Sequence, residues 1–341
     1  MKKVRFGKTG MLVSQIALGG IPIQRLNQKE AVEVLRGSID LGVNFIDTAN
    51  GYADSEEKIG LAIKGLPREN LVIATKSLAR DKKTFTEHID LSLQRLGTDY
   101  IDLYQLHHVS NAAAYEQIFG AGGAYAGLVE AMRVGKVRFP AFSSHNVGTA
   151  LRVMKEQDLA AVQLPFNFVD QEALKEAIPL AIKLNMGFIA MKPLGGGLLD
   201  NANLAIKYLM QFESVVPDPG IERLSEMVEI VSIVNSGEKL TAVELEAIEA
   251  IRKQTTGSWC HRCDYCQPCP EKINISQVLA LESLIKRMTR ERVVAFASKS
   301  FESARGCTEC GECIQKCPYN LEVPKLIKDK LAIWDEYLSQ Q

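Results

Sequence analysis

Short apolar runs, each followed by an amphipathic stretch, recur through about the first 235 residues, and this alternation limits the fold most tightly. Candidate strands lie at 15–19, 43–49, 71–76, 100–107, 138–144, 160–166, 187–193 and 214–217. They are continuously apolar, as in NFIDTA, LVIATK and GFIAMK, which is the pattern of parallel strands covered on both faces. Between them, Ala31, Leu35 and Ile39 form an apolar stripe at helical spacing, and TFTEHIDLSLQRLG ends on Gly97, where a helix stops. Eight such units predict an α/β fold, a (β/α)8 TIM barrel. A doubly wound sheet is the alternative. Against it, no Gly-x-Gly-x-x-Gly follows the first strand, and ALGGIPIQRL has only paired glycines.

The chain has 341 residues, room for one large domain and a small one. The expected division is a barrel over 1–255 and a small α-helical domain over 256–341, with TTGS at the boundary. With a formal net charge of −1, charge alone implies neither nucleic acid nor an anionic membrane as partner. The opening MKKVRFGKTGMLVSQ lacks the apolar core of a signal peptide, and no apolar run reaches the ~18 residues of a membrane span. The expected location is the cytoplasm.

On a barrel, polar residues at the carboxyl ends of strands carry the chemistry. Asp47 closes VNFID, Lys76 closes LVIATK, and His107 and His108 close YIDLYQLHH; Tyr52 lies in the loop after Asp47. Each alone has an ordinary reading: a solvated lysine, a turn-starting aspartate, a half-buried tyrosine. Four on one rim are harder to dismiss. Since neighbouring strand residues face opposite sides, only one of His107 and His108 can face the mouth.

These segments resemble the aldo/keto reductase family. FIDTANGYADSEEKIG carries its Asp and Tyr, VIATK its Lys and DLYQLHH its His, while GKVRFPAFSSHN, VQLPFNFVD and MKPLGGGLL resemble its fifth, sixth and seventh strand segments. The resemblance covers roughly residues 1–235. It implies a barrel that binds a nicotinamide cofactor and reduces an aldehyde or ketone to an alcohol, or runs the reverse oxidation. By family position Asp47, Tyr52, Lys76 and His107 are the expected catalytic residues, and His108 shapes the pocket or its loop. The chemistry is coherent: hydride arriving at a carbonyl carbon leaves an oxygen that needs a proton. A free Tyr, with a pKa of about 10, is too weak an acid at neutral pH. A lysine beside it favours the phenolate, an aspartate holds that lysine charged, and a histidine hydrogen bond positions the carbonyl.

The resemblance also implies cofactor contacts. Ser143, Ser144 and Gln163 match positions that hold the nicotinamide carboxamide, although the family commonly has Asn at Ser144. Met191 stands where many members stack an aromatic ring. Lys192, Pro193, Leu194, Gly195 and Gly197 belong to the seventh-strand loop, where Gly195–Gly197 would let backbone approach a pyrophosphate or simply form a mobile loop. Arg223 is the expected adenosine-phosphate ligand, and Asp218 occupies a place where Lys is often found and would repel a 2′-phosphate. The expected cofactor is NADPH, with NADH left open. A rival reading makes Lys192 a Schiff-base lysine of a lyase.

All eight cysteines lie in the last 82 residues, and clustered cysteines in a reducing compartment bind metal more often than they pair. Cys307-x2-Cys310-x2-Cys313-x3-Cys317-Pro has the spacing of bacterial [4Fe–4S] ferredoxin runs. Cys260-x2-Cys263-x2-Cys266-x2-Cys269-Pro is one residue shorter in its last gap. Two [4Fe–4S] clusters are expected, with tetrahedral zinc as the alternative. The long helix-like segment between the runs resembles the helical dicluster ferredoxin modules appended to redox enzymes, including a branch of aldo/keto reductases. That resemblance implies one ligand set of Cys260, Cys263, Cys266 and Cys317, and another of Cys307, Cys310, Cys313 and Cys269, with Cys269 the weakest member. Clusters move single electrons and nicotinamide moves a pair, so the tail could staple itself, relay electrons through a flavin or redox partner protein, or sense redox state. A nicotinamide-binding electron-transfer or redox-sensing protein is therefore the alternative function.

Overall fold

The computed structural model describes residues 1–340. The chain divides into two compact units, Met1–Thr241 and Ala242–Gln341. The helix Ala242–Thr255, grouped with the barrel in the sequence reading, falls in the second unit.

Two short strands open the first unit, β1 (Lys3–Arg5) and β2 (Leu12–Ser14), paired as an antiparallel hairpin. Eight parallel strands follow: β3 (Leu18–Gly19), β4 (Phe45–Asp47), β5 (Val72–Ser77), β6 (Ile101–Leu106), β7 (Val137–Ser143), β8 (Ala161–Pro165), β9 (Gly187–Met191) and β10 (Val215–Asp218). They pair in chain order, β3 through β10. The ends meet: Ala17 N donates to Pro217 O at 2.9 Å, and Gly19 N to Pro219 O at 2.9 Å. The expected barrel is thus present, each strand trailed by helix. All eight strands of the sequence reading appear, most of them shorter at their ends.

The hairpin was not foreseen. It carries Phe6, Met11, Val13 and Ala17 into a buried cluster with the inward side chains Phe45, Val72, Ala74, Leu103, Ala141, Ala161, Ile189 and Val216. Phe6 meets Phe45 edge-on at 5.3 Å. Gly187 makes that possible, since a Cβ there would sit 2.3 Å from the Phe6 ring. One end of the barrel is therefore filled with apolar side chains. Side chains two residues further along a strand face the same way, so the next inward positions are Asp47, Lys76, Gln105, Gln163 and Asp218. A dry floor carries a polar layer.

The second unit is helical: Ile275–Val278, Leu281–Arg287, Arg290–Ala304, Glu312–Lys316 and Val323–Ser339 follow Ala242–Thr255. Ile273, Val278, Leu281, Val293, Phe301, Ile327 and Trp334 form its core, with Phe301 stacked on Trp334 at 4.5 Å. Among the described residues no helix is long and apolar enough to cross a membrane.

Candidate active site and iron–sulfur sites

Asp47 ends β4, and β5 brings Lys76 beside it; the two form a buried ion pair. Lys76 Nζ also donates to Thr48 O at 2.6 Å. A 2% exposed ammonium survives only with such partners. Burial alone would pull its pKa down, but Asp47, then Tyr52 and Asp218, outweigh burial and leave it raised. Lys76 is a firm cation. Its Nζ lies 5.1 Å from the Tyr52 ring centroid, and the Tyr52 and His107 rings meet edge-on at 6.0 Å. The four residues singled out from sequence converge.

His107 and His108 lie just past the end of β6, so a turn separates them, not strand alternation. His108 takes a left-handed backbone, φ +60°, and its ring packs on His145 at 5.0 Å. Arg80 holds the turn by donating to His107 O at 2.8 Å and His108 O at 3.0 Å. Burial, then the charges of Lys76, His108 and Arg80, push the His107 imidazole well below its ordinary value. It is neutral at pH 7.

Tyr52 is held by contacts invisible in the motif. Tyr52 N donates to Ala49 O and Ser55 N to Tyr52 O, both at 2.9 Å, and Ser55 Oγ reaches Gly20 O at 2.8 Å. Lys58, 4% exposed, donates to Leu26 O at 2.7 Å and pairs with Asp54 at 2.8 Å. It straps the helix after Tyr52 to the loop after β3.

Two glutamines share the polar layer. Gln105 Nε2 donates to Asp47 Oδ1 at 2.9 Å; Gln163 Nε2 lies 3.3 Å from Asp47 Oδ2 and 3.0 Å from Asp218 Oδ2. The Oε1 atoms of both glutamines are buried without a hydrogen-bond partner. Ser143 is in register with Gln163, and its hydroxyl accepts from His108 N at 3.0 Å. The Ser144 hydroxyl is engaged by its own turn, with Asn146 N and O both at 3.0 Å. Met191 ends β9, in register with Pro165 and Asp218. Lys192 follows at φ +57°; its Nζ lies 3.5 Å from His145 Nδ1. Beyond Pro193 and Leu194, Gly195, Gly196 and Gly197 all take positive φ, +60° to +90°, a run that L side chains resist. Gly195 N to Lys192 O and Gly197 N to Leu194 O, both 2.9 Å, tie this loop.

Asp218 is the last inward residue of β10, and its carboxyl lies against Gln163 and Asp47. Arg223 is 76% exposed at the start of helix Leu224–Ser236, where its Nε and Nη2 both bond Glu226 Oε1, at 3.0 and 2.7 Å.

In the second unit the two cysteine runs adopt the same backbone. Arg262, Asp264 and Lys272 have φ of 57°, 60° and 56°; Glu309, Gly311 and Asn320, at matching offsets, have 55°, 78° and 53°. After each last cysteine a buried pair follows, Ile273 and Ile275 or Leu321 and Val323. Two small pockets result. Cys260, Cys263, Cys266 and Cys317 line the first; Cys269, Cys307, Cys310 and Cys313 line the second, which Cys266 also borders. The shorter first run thus still delivers Cys269 to the opposite pocket. The repeat unit itself, C-P-x-x-apolar-x-apolar after each run, was readable in the sequence and missed.

The aldo/keto reductase family model matches residues 15–262. This chain belongs to the aldo/keto reductase family. A 4Fe-4S dicluster domain model matches residues 259–322. Among curated relatives, an uncharacterized oxidoreductase, YrpG, of Bacillus subtilis is 30% identical over 228 residues, covering 58% of this chain and 68% of that protein. A probable aldo-keto reductase of Glycine max is 26% identical over 215 residues, and the match covers 58% of this chain and 60% of the soybean protein. The NADH-specific methylglyoxal reductase of Escherichia coli is 28% identical over 228 residues, covering 58% of this chain and 69% of that protein. Among solved structures, the holo form of an aldo-keto reductase from Bacillus halodurans superposes with a TM-score of 0.63 at 23% identity, covering 74% of this chain and 96% of that one. An aldo-keto reductase from Klebsiella pneumoniae in complex with NADPH gives the same TM-score and identity, with 74% and 95% covered. At that identity the likeness speaks to the fold.

Proposed function

We propose that the protein reduces an aldehyde or ketone to an alcohol with NADPH, NADH being admitted, using Asp47, Tyr52, Lys76 and His107, and that its eight cysteines hold two [4Fe–4S] clusters. The observation that carries the reading is the buried Asp47–Lys76 pair with Lys76 Nζ 5.1 Å from the Tyr52 ring. When bound, the nicotinamide supplies the hydride. Tyr52 then gives its phenolic proton to the carbonyl oxygen. The fixed charge of Lys76 stabilises the phenolate left behind, which recovers a proton from water. Asp47 keeps Lys76 charged and in place. Neutral His107 can donate one hydrogen bond to the carbonyl oxygen without adding a second cation beside Lys76.

The barrel mouth fits a nicotinamide in its donor set. Gln163 Oε1 is a buried acceptor lacking a protein partner, and a carboxamide N–H is the complementary group. Ser143, Ser144, Met191, Lys192, Pro193, Leu194, Gly195 and Gly197 complete the proposed contacts. Arg223 would take an adenosine 2′-phosphate only in competition with Glu226, which leaves NADH a serious partner. In the tail, Cys260, Cys263, Cys266 and Cys317 would hold one cluster, and Cys307, Cys310, Cys313 and Cys269 the other. Four thiolates around each pocket suit cubane clusters, which supply single-electron chemistry.

The test is anaerobic purification with iron and sulfide counts, followed by NADPH and NADH consumption over a panel of aldehydes and ketones that includes methylglyoxal. About eight irons per chain and carbonyl-dependent oxidation of either nucleotide are expected. Zinc in place of iron, or no turnover across the panel, refutes the corresponding half of the reading.

A further inference from the structure

Asp218 has no role in the chemistry above, yet it is one of two buried carboxyls in the polar layer of the barrel. It is 8% exposed, and its Oδ2 accepts from Gln163 Nε2 at 3.0 Å. The same nitrogen lies 3.3 Å from Asp47 Oδ2. One oxygen of each carboxyl thus converges on one end of the Gln163 amide. A primary amide can turn its nitrogen and oxygen about, and only its neighbours decide which end points where. Here the NH2 end is claimed by two carboxyls, and the oxygen is left buried with no partner.

We propose that Asp218 is a positioning residue: together with Asp47 it fixes the orientation of the Gln163 amide, so that the barrel mouth offers a hydrogen-bond acceptor, and not a donor, to the bound ligand. Asp47 is shared among several donors, its Oδ1 accepting from Gln105 and its Oδ2 partnering Lys76, and its contact to Gln163 is the longer one. The Asp218 oxygen makes the shorter of the two Gln163 contacts. Burial, then Asp47, raise the Asp218 pKa well above the carboxylate range, against the opposing pull of Lys76. A neutral Asp218 can give its proton toward Asp47 and still accept from Gln163, so the layer needs no second cation. Gly19 permits the arrangement, since a Cβ there would lie 3.0 Å from Asp218 Oδ1.

This inference rests on the nicotinamide reading, and the consequence is selectivity for the carboxamide N–H. A nicotinamide donates that N–H; a 3-acetylpyridine ring carries a methyl ketone and cannot. The experiment measures dissociation constants of NAD+, NADP+ and their 3-acetylpyridine analogues by fluorescence titration, for the wild type, Asp218→Asn and Asp218→Leu. The wild type should prefer the nicotinamide form by about tenfold or more, because the analogue leaves a buried acceptor unpaired. Asp218→Asn can offer a donor to Gln163 and let its amide reverse, and Asp218→Leu removes the tether, so in both the preference should shrink several-fold. Circular dichroism of each variant establishes that it is folded. Equal weakening of nicotinamide and analogue, or an unchanged preference in both variants, overturns the proposal. A wild type that binds none of the four ligands refutes the nicotinamide reading itself, and the inference with it.

Discussion

The His107 imidazole is neutral because it has too little water and too many cations for company. Burial depresses its pKa most, and Lys76, His108 and Arg80 add to that effect. A histidine whose folded pKa is depressed takes up its proton more readily in the unfolded chain. Its contribution to stability is therefore present above the unfolded value of about 6.5 and is lost as pH falls below it. Urea unfolding should show the wild type losing stability between pH 7 and pH 5 more steeply than His107→Gln. Parallel pH dependences in the two proteins would mean that folding does not depress the His107 pKa. At this scale the sequence was informative about identity and blind to orientation. Asp47, Lys76 and the His107–His108 pair were legible because strand ends on a barrel are where polar groups converge, while Tyr52 and the choice of His107 over His108 came from the family resemblance. The inward turn of Asp218 was not, because SVVPD is too short a run for its alternation to be read. Nor was Lys58, which looks like any surface lysine on a helix and instead holds the segment after Tyr52.

Between elements, the tightest constraint is the approach of the first hairpin to β9. Gly187 opens that strand, and the Phe6 ring fills the space a side chain would need. Gly187→Ala should cost about 1–3 kcal/mol or more through overpacking. Denaturant melts of the variant would read this as a lower midpoint with an unchanged slope. Combining it with Phe6→Leu should recover part of the loss, and additive losses would show that the contact is not the cause. The eight barrel strands were legible because a strand buried on both faces must be apolar throughout. The hairpin was not: KVR and LVS are three-residue strands with exposed positions, and their neighbours GKTG read as an ordinary turn. Its role is set by what it covers, which is a tertiary fact.

For the whole molecule, a barrel with a polar mouth shares its chain with a helical unit built from a repeated cysteine segment. The repeat makes the crossed ligand pattern testable. Cys269→Ser should spare the pocket of Cys260, Cys263, Cys266 and Cys317 and empty the other, so that iron falls from about eight to about four per chain, with one electron paramagnetic resonance signal lost and one retained. Loss of both signals, with the unit still folded, would contradict the crossed assignment. The cysteine spacing predicts two sites, and the backbone brings Cys269 of the shorter first run to the pocket lined by Cys307, Cys310 and Cys313. The proposed chemistry depends on Tyr52 as proton donor on the Asp47–Lys76 pair. Its most direct test is carbonyl-dependent oxidation of NADPH or NADH by Tyr52→Phe against the wild type, with nucleotide affinity and the cluster absorbance recorded on the same samples. In Tyr52→Phe, kcat should fall by about 10^2- to 10^4-fold while affinity and absorbance stay unchanged; turnover that survives the loss of the phenol would rule out Tyr52 as the proton donor.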